Sequence, residues 1–211
     1  KRQQHVSANN KGKTIIMKIA IINYDAGNVK SLQFAIERLG QKAILTDDPF
    51  VIKEADKIIF PGQGEASNAM DKLRKHNLDK IIPSLKQPIL GICLGMQLFF
   101  DKTEEKNTTG LGIINGTVAK FPNSVKIPQM GWNTVHHDNT GLFEGINKKT
   151  YMYLVHSYYA PKVPESVAFT NYGLNYSVAV RKNNFFGVQF HPEKSSSDGL
   201  MILNNFLKFK K

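Results

Sequence analysis

The chain has 211 residues, of which 41% are hydrophobic and 21% are charged, a composition typical of a globular domain with one substantial core. Its formal net charge is +11, but seven of these charges come from residues 1–16 and 208–211, and the body of the chain carries no arginine-rich run. No apolar run reaches the roughly 20 residues that cross a bilayer. The sequence therefore predicts neither a nucleic acid nor a membrane as a partner.

Residues 1–16 are polar and rich in Asn, Gln and Lys, whereas Met17 opens an apolar segment. We expect residues 1–16 to be a leader or a cloning-derived extension without ordered structure, and residues 17–211 to form one domain. The single cysteine excludes an internal disulfide, and a reactive thiol survives best in a reducing cytoplasm. Because the histidines are scattered and there is no second cysteine, the sequence predicts no metal site and no cofactor.

The first half of the domain alternates short apolar strands with amphipathic helices. The predicted strands are residues 18–23, 43–46, 57–60 and 89–92, and the predicted helices are residues 29–39, 50–55, 65–75 and 94–101. This β-α alternation predicts parallel strands covered by helices on both faces, with a site formed by the loops at the carboxyl ends of the strands.

The second half changes character, because its apolar segments are short and separated by Gly, Asn and Pro. It contains predicted strands at residues 113–121, 151–155, 167–170, 176–180 and 185–190, and a closing helix at about residues 196–206. Together the two halves predict an α/β fold with a mixed, mostly parallel central sheet and helices on both faces.

The only cysteine, Cys93, lies where a buried strand meets a helix, with Gly91 and Gly95 on either side. This arrangement is the thiol version of a nucleophile elbow, a tight turn that lifts one side chain above the sheet edge. A free cysteine is more often a small buried apolar residue. The local sequence therefore leaves both roles open for Cys93.

A second motif, His191-Pro192-Glu193, follows a predicted strand. In extended backbone His191 and Glu193 point to the same face, and we expect Pro192 to keep the link from curling into a helix. A carboxylate that holds one imidazole nitrogen leaves the other free to exchange a proton with a nucleophile. With Cys93, these residues complete a Cys-His-Glu catalytic triad.

A third motif, Pro61-Gly62-Gln63-Gly64, follows the strand that ends at Phe60. Glycines in such a turn let backbone N–H groups point outward, as an oxyanion hole requires. We expect the N–H groups of Gly64 or Gln63 and of Leu94 to be the donors, the latter helped by the helix dipole.

These motifs resemble the class I glutamine amidotransferases, which implies their flavodoxin-like fold. Further stretches narrow the resemblance to the glutaminase subunit of imidazole glycerol phosphate synthase. This synthase is an enzyme of histidine biosynthesis. The stretches are Ile22-Asn23-Tyr24 with Gly27-Asn28, Pro128-Gln129-Met130-Gly131-Trp132-Asn133 and Tyr153-Leu154-Val155-His156-Ser157-Tyr158-Tyr159. The resemblance covers the chain from Met17 to the C-terminal helix. It implies hydrolysis of L-glutamine to glutamate and ammonia.

The resemblance also implies roles for residues outside the triad. The residues that would contact glutamine are Gly62, Gln97, His156, Ser157 and Tyr158. The partner in that family is a (β/α)₈ cyclase subunit that receives the ammonia in a heterodimer. The residues that would face this partner are Asn28, Trp132, Tyr153 and Lys194. A histidine such as His156 in an aromatic stretch is also typical of a buried core.

The sequence departs from the family at the oxyanion turn, where Gln63 replaces the usual valine. This departure leaves open a paralogous amidotransferase that supplies ammonia for amidation of a surface sugar. A cysteine peptidase of similar architecture and a binding module in which Cys93 is merely buried are further alternatives.

Overall fold

The computed structural model describes residues 17–25 and 29–210. The predicted leader, residues 1–16, and the predicted interface residue Asn28 lie outside the described residues. The strands are β1 (Ile19–Ile22), β2 (Ala43–Thr46), β3 (Lys57–Phe60), β4 (Ile89–Ile92), β5 (Phe100–Thr103), β6 (Thr108–Thr109), β7 (Ile114–Lys120), β8 (Gln129–His137), β9 (Lys149–His156), β10 (Tyr158–Tyr159), β11 (Ser166–Asn171), β12 (Asn175–Lys182) and β13 (Phe185–Val188). The helices are α1 (Val29–Arg38), α2 (Pro49–Lys53), α3 (Ala66–Lys75), α4 (Leu78–Ile81), α5 (Leu94–Gln97) and α6 (Ser196–Lys208).

The larger sheet of the described residues has nine strands in the order β2-β1-β3-β4-β13-β12-β11-β8-β9. The first five pair in parallel, and the remaining pairs are antiparallel. Because only β8 and β12 run against the other strands, the carboxyl ends of β3, β4, β13 and β9 lie at one edge. The predicted mixed, mostly parallel sheet is confirmed, and this edge is where the three sequence motifs meet.

Helices cover both faces of the sheet because alternate residues of the parallel strands point to opposite sides. In β1, Ile19 and Ile21 pack with the apolar residues of α1 and α6. Ala20 and Ile22 instead pack with those of α2, α3 and α4. None of the helices in the described part of the chain has the length and apolarity needed to cross a membrane.

A smaller sheet, in the order β10-β7-β5-β6, explains the largest error in the sequence prediction. The predicted helix over residues 94–101 ends after one turn, at Gln97, and β5 begins at Phe100. The carbonyl of Phe99 accepts hydrogen bonds from the N–H groups of Ile113 and Ile114, at 2.8 and 2.9 Å. Leu98, Phe99 and Phe100 are all fully buried, whereas a helix with one apolar face would expose part of three consecutive residues.

Four other elements are not predicted from the sequence, namely β6, β8, β10 and α4. Strands β6 and β10 have two residues each and helix α4 has four, and the residues of β8, QMGWNTVHH, show no regular alternation of apolar and polar side chains. Strand β8 nevertheless positions the site, because it joins β9 to the rest of the sheet through the register from Gln129 opposite His156 to His136 opposite Lys149.

Candidate active site

Cys93 lies on a strained turn between β4 and α5, with φ 53° and ψ −110°. Non-glycine residues rarely adopt such a conformation, and it persists only where neighbouring structure enforces it. The Cys93 N–H donates to the Val188 carbonyl of β13 at 2.8 Å, and the Cys93 carbonyl accepts from the Gln97 N–H at 3.1 Å. The side chain is 7% exposed, so the thiol is nearly enclosed but borders the pocket described below.

The Pro61–Gly64 turn packs directly on this elbow. A Cβ atom on Gly95 would lie 2.0 Å from the Phe60 carbonyl oxygen, and one on Gly62 would lie 2.4 Å from the Gly95 nitrogen. Both positions therefore require glycine. The buried Tyr24 hydroxyl donates to the Pro61 carbonyl, and burial raises the pKa of Tyr24, so this hydroxyl keeps the proton that anchors the turn.

His191 follows β13 and is held from both sides of its backbone. Its N–H donates to the Tyr153 carbonyl at 2.9 Å, and its carbonyl accepts from the Ser195 hydroxyl at 2.7 Å. The hydroxyl oxygen of Ser195 in turn accepts from the Tyr153 N–H at 2.9 Å. The last strand of the sheet, β9, thus fixes the position of this histidine.

Glu193 lies 2.8 Å from His191, between Oε1 and Nδ1, and its side chain is 5% exposed. The link is not extended as predicted, because Pro192–Lys194 form a short 3₁₀ turn. Proline is tolerated at the first position of a helical turn, where its missing N–H has no partner to lose. The turn places the carboxylate beside the imidazole by a different path from the one the sequence predicted.

The charges around His191 favour its protonated form. Burial lowers the pKa of His191, but the Cys93 sulfur and the Glu193 carboxylate outweigh burial and raise it to about 10. Nε2 is buried and makes no hydrogen bond within the described residues. The ring therefore holds a proton next to the sulfur and has one nitrogen available to transfer it.

A pocket of about 490 Å³ opens above the cysteine. Most residues that the sequence analysis assigned to the site line it. They are Gly62, Gln63, Gly64, Cys93, Leu94, Gln97, Tyr153, His156, Ser157, Tyr158, His191 and Lys194. The fold thus brings Cys93, the Pro61–Gly64 turn and the expected glutamine contacts to one cavity, with Glu193 hydrogen-bonded to His191.

Two of the expected glutamine contacts already have partners within the protein. The Gln97 amide nitrogen donates to the Tyr158 carbonyl at 2.8 Å and to the Gln189 side-chain oxygen at 2.9 Å. The His156 ring lies between the Tyr158 carbonyl, 2.8 Å from Nδ1, and the Tyr176 hydroxyl, 3.1 Å from Nε2. Substrate contacts of these side chains are therefore limited to the Gln97 oxygen and the edge of the imidazole.

The expected interface residues form an aromatic patch beside the pocket mouth. Trp132 is 53% exposed and meets the Tyr153 ring edge-on, with centroids 6.2 Å apart. The Lys194 ammonium lies 6.0 Å from the centroid of the same Tyr153 ring. Met130 and Tyr151 extend this patch and are also exposed.

The sequence model of one family, Glutamine amidotransferase class-I, matches residues 20–209, which include every element of this site. The chain belongs to this family. Membership in the class I glutamine amidotransferases decides against a cysteine peptidase and against a binding module with an inert cysteine.

Relatives of this amidotransferase are close and cover the domain. The chain is 46% identical to the imidazole glycerol phosphate synthase subunit HisH of Bacteroides fragilis strain YCH46, over 91% of this chain and 100% of the relative. It is 45% identical to the same subunit of Haemophilus influenzae strain KW20, over 92% and 98%. A solved structure of PurLQS from Thermotoga maritima matches with a TM-score of 0.70 at 19% identity, covering 93% and 100% of the two chains.

The sequence analysis missed one acidic residue of this amidotransferase pocket, Glu105. Its carboxylate accepts from the Ala66 N–H, at the start of α3, at 2.8 Å. Burial raises the pKa of Glu105, and the nearby Glu65 adds to the shift. No local signal marks this residue, because Glu104-Glu105-Lys106 reads as an ordinary charged surface stretch until the fold turns it toward Cys93.

Proposed function

We propose that the chain hydrolyses L-glutamine to glutamate and ammonia with Cys93, His191 and Glu193, as the glutaminase subunit of an imidazole glycerol phosphate synthase. The observation that carries this proposal is the strained Cys93 facing a buried His191–Glu193 pair across the floor of the pocket. The single thiol of such an enzyme also favours a reducing compartment such as the cytoplasm.

The reaction divides into two halves that share one histidine. The proton that His191 holds is the one that the Cys93 thiol releases, and the resulting thiolate attacks the side-chain amide carbon of glutamine. The N–H groups of Leu94 and of Gly64 or Gln63 hold the oxyanion, each donor contributing about 3 kcal/mol. His191 returns the proton to the departing ammonia, and then takes one from the water that cleaves the thioester. Glu193 holds Nδ1 throughout.

The pocket also supplies polar groups that suit the α-ammonium and α-carboxylate groups of glutamine. The Glu105 carboxylate suits the α-ammonium group, since a bound cation would offset the cost of burying this acid. Ser157 and Tyr158 also line the pocket, and their polar groups suit the α-carboxylate. Gly62 also lines the pocket, and its missing side chain lets the turn pack on the elbow with its backbone facing the substrate.

The relatives and the aromatic patch support a proposal for the protein that receives the ammonia. Two relatives above 40% identity are named as subunits of imidazole glycerol phosphate synthase. We infer that a (β/α)₈ cyclase docks on Trp132, Tyr153 and Lys194, because exposed aromatic residues beside a cation are enriched at interfaces. Docking there would cover the pocket mouth and keep ammonia from escaping into water.

A glutaminase assay with and without a purified cyclase subunit tests the proposal. We expect cyclase to stimulate glutamine hydrolysis, Cys93→Ala to abolish it, and Trp132→Ala to weaken stimulation while leaving the unstimulated rate intact. Hydrolysis retained by Cys93→Ala would refute the nucleophile. A Trp132→Ala response equal to that of the unmodified protein would refute the docking surface only.

A further inference from the structure

Gln189 is a fully buried polar residue at the carboxyl end of β13, two residues before His191. Its backbone N–H donates to the Val178 carbonyl at 2.8 Å, so the main chain is fixed. Its side-chain nitrogen lies 3.5 Å from the Cys93 sulfur in hydrogen-bonding geometry. None of the roles assigned above uses this amide.

The direction of the Gln189 amide is set by a chain of partners that begins at a backbone carbonyl. The Tyr158 carbonyl can only accept, so it fixes the Gln97 amide with its NH₂ group inward. The second hydrogen of that NH₂ group goes to Oε1 of Gln189 at 2.9 Å. Oε1 is thereby committed to Gln97, and the NH₂ group of Gln189 faces the sulfur.

Two neighbours of the sulfur respond differently to its ionisation. The Val155 carbonyl lies 3.8 Å from the sulfur and accepts from the neutral thiol. The Gln189 NH₂ group offers a hydrogen to the anion. A donor to a charged atom gives a stronger hydrogen bond than a donor to a neutral one, so this amide favours the form of Cys93 that attacks.

We propose that Gln189 is a catalytic residue, which donates a hydrogen bond to the anionic sulfur of Cys93 and is held in place by Gln97. The inference rests on the proposed role of Cys93 as the nucleophile. As the thiol proton passes to His191, the sulfur changes from a donor toward Val155 to an acceptor from Gln189. The same bond stabilises the sulfur again when it leaves the thioester.

Alkylation by iodoacetamide tests this role without any substrate, because Cys93 is the only cysteine in the chain. Gln189→Met keeps the length of the side chain and removes the donor. We expect its alkylation rate at pH 7 to fall about tenfold, and the pH midpoint of the rate to rise by about one unit, because hydrogen bonds to charged groups are the strong ones. His191, Tyr24 and Tyr176, the described titratable groups that interact with the sulfur, are unchanged in this variant.

Three further variants make the result specific. Gln189→Glu keeps an acceptor oxygen for Gln97 and, when ionised, offers no hydrogen to the sulfur, so the midpoint of this variant should rise at least as far. Gln97→Met should raise the midpoint by a smaller amount. It leaves the Gln189 donor in place and only removes the hydrogen bond that holds the Gln189 amide in its orientation. Gln129→Met removes a buried amide of the same wall that bonds Tyr176, and its midpoint should not move.

Folded Gln189→Met and Gln189→Glu proteins with the alkylation midpoint of the unmodified protein would overturn the inference. Such a result leaves the proposed function untouched, since that is judged by glutamine hydrolysis and its loss in Cys93→Ala. Conversely, a chain that hydrolyses no glutamine with its cyclase would refute the proposed function whatever the alkylation profile.

Discussion

Two histidines that line the pocket are almost equally buried, with His191 2% exposed and His156 7% exposed. Their pKa values are nevertheless shifted in opposite directions. The pKa of His191 is raised to about 10 by the Cys93 sulfur and the Glu193 carboxylate, despite burial. The pKa of His156 is lowered to about 4, first by burial and also by the charge of His191. Burial alone therefore does not decide which histidine acts as an acid and base.

The difference lies in what each ring touches. His156 is surrounded by neutral groups, since Phe121 and Tyr176 pack on it with centroids 5.2 and 5.6 Å away. The single N–H of the neutral ring goes to the Tyr158 carbonyl, and Nε2 lies 3.1 Å from the Tyr176 hydroxyl. His191 has the Glu193 carboxylate at Nδ1, and its Nε2 has no hydrogen-bond partner among residues 17–25 and 29–210. The surroundings of His156 suit a structural role, and those of His191 suit proton transfer.

The largest expected effect is the difference in kcat between two variants in which one histidine is replaced by asparagine. Asparagine keeps a polar group at the Nδ1 position. His191→Asn should lower kcat for glutamine about 10³-fold, because it removes the acid and base of both half-reactions. His156→Asn should lower kcat less than about tenfold and instead cost about 1–3 kcal/mol of unfolding free energy, the loss expected from a broken buried hydrogen bond. Steady-state kinetics with saturating cyclase and urea unfolding measure both. Equal losses of kcat would contradict the division of roles.

A smaller effect is expected from Glu193→Gln, which removes the anion from the His191 side of the comparison. Folding raises the pKa of His191 from 6.5 to about 10, so its contribution to stability is complete below about pH 6.5 and is lost as pH rises through 10. Glu193→Gln should lower the His191 pKa, and the free energy of unfolding should then fall less as pH rises. NMR titration of the imidazole and urea unfolding between pH 6 and pH 10 check the change. Parallel stability curves for the two proteins would show that the carboxylate does not set this pKa.

The smallest expected effect is that of Tyr176→Phe, which perturbs only the His156 side. The hydroxyl lies 3.1 Å from His156 Nε2 and 2.7 Å from the Gln129 amide oxygen, so its loss should cost about 1–3 kcal/mol. We expect kcat to change little, because no atom of Tyr176 lines the pocket around Cys93. Thermal unfolding with a glutaminase assay provides the measurement, and a large loss of kcat at unchanged stability would speak against a structural role.

Much of the fold follows from local patterns. The predicted strand at residues 57–60 matches β3 in both of its bounds, and helix α3 begins one residue after its predicted start. Errors appear where tertiary contacts override a local pattern. Helix α5 stops at Gln97 because Leu98 to Phe100 are buried between the two sheets, and β8 is a strand through its pairing with β9.

The chemical parts of the site can be read from the sequence, because each part is encoded within a few residues. Glycines around Cys93 and at Gly62 and Gly64 reveal the elbow and its facing turn, and His191-Pro192-Glu193 places an acid next to an imidazole. Such short-range features depend on backbone conformation and on neighbours along the chain, and both can be read from the sequence.

The polar groups that surround the sulfur, and the choice of the histidine that stays neutral, depend on contacts between distant parts of the chain. Glu105 and Gln189 reach the site from positions 12 and 96 residues from Cys93. His156 is neutral because Phe121 and Tyr176 enclose it from other strands. Electrostatic environments are summed over all neighbours in space, so they are fixed only when the strands that carry those neighbours have come together.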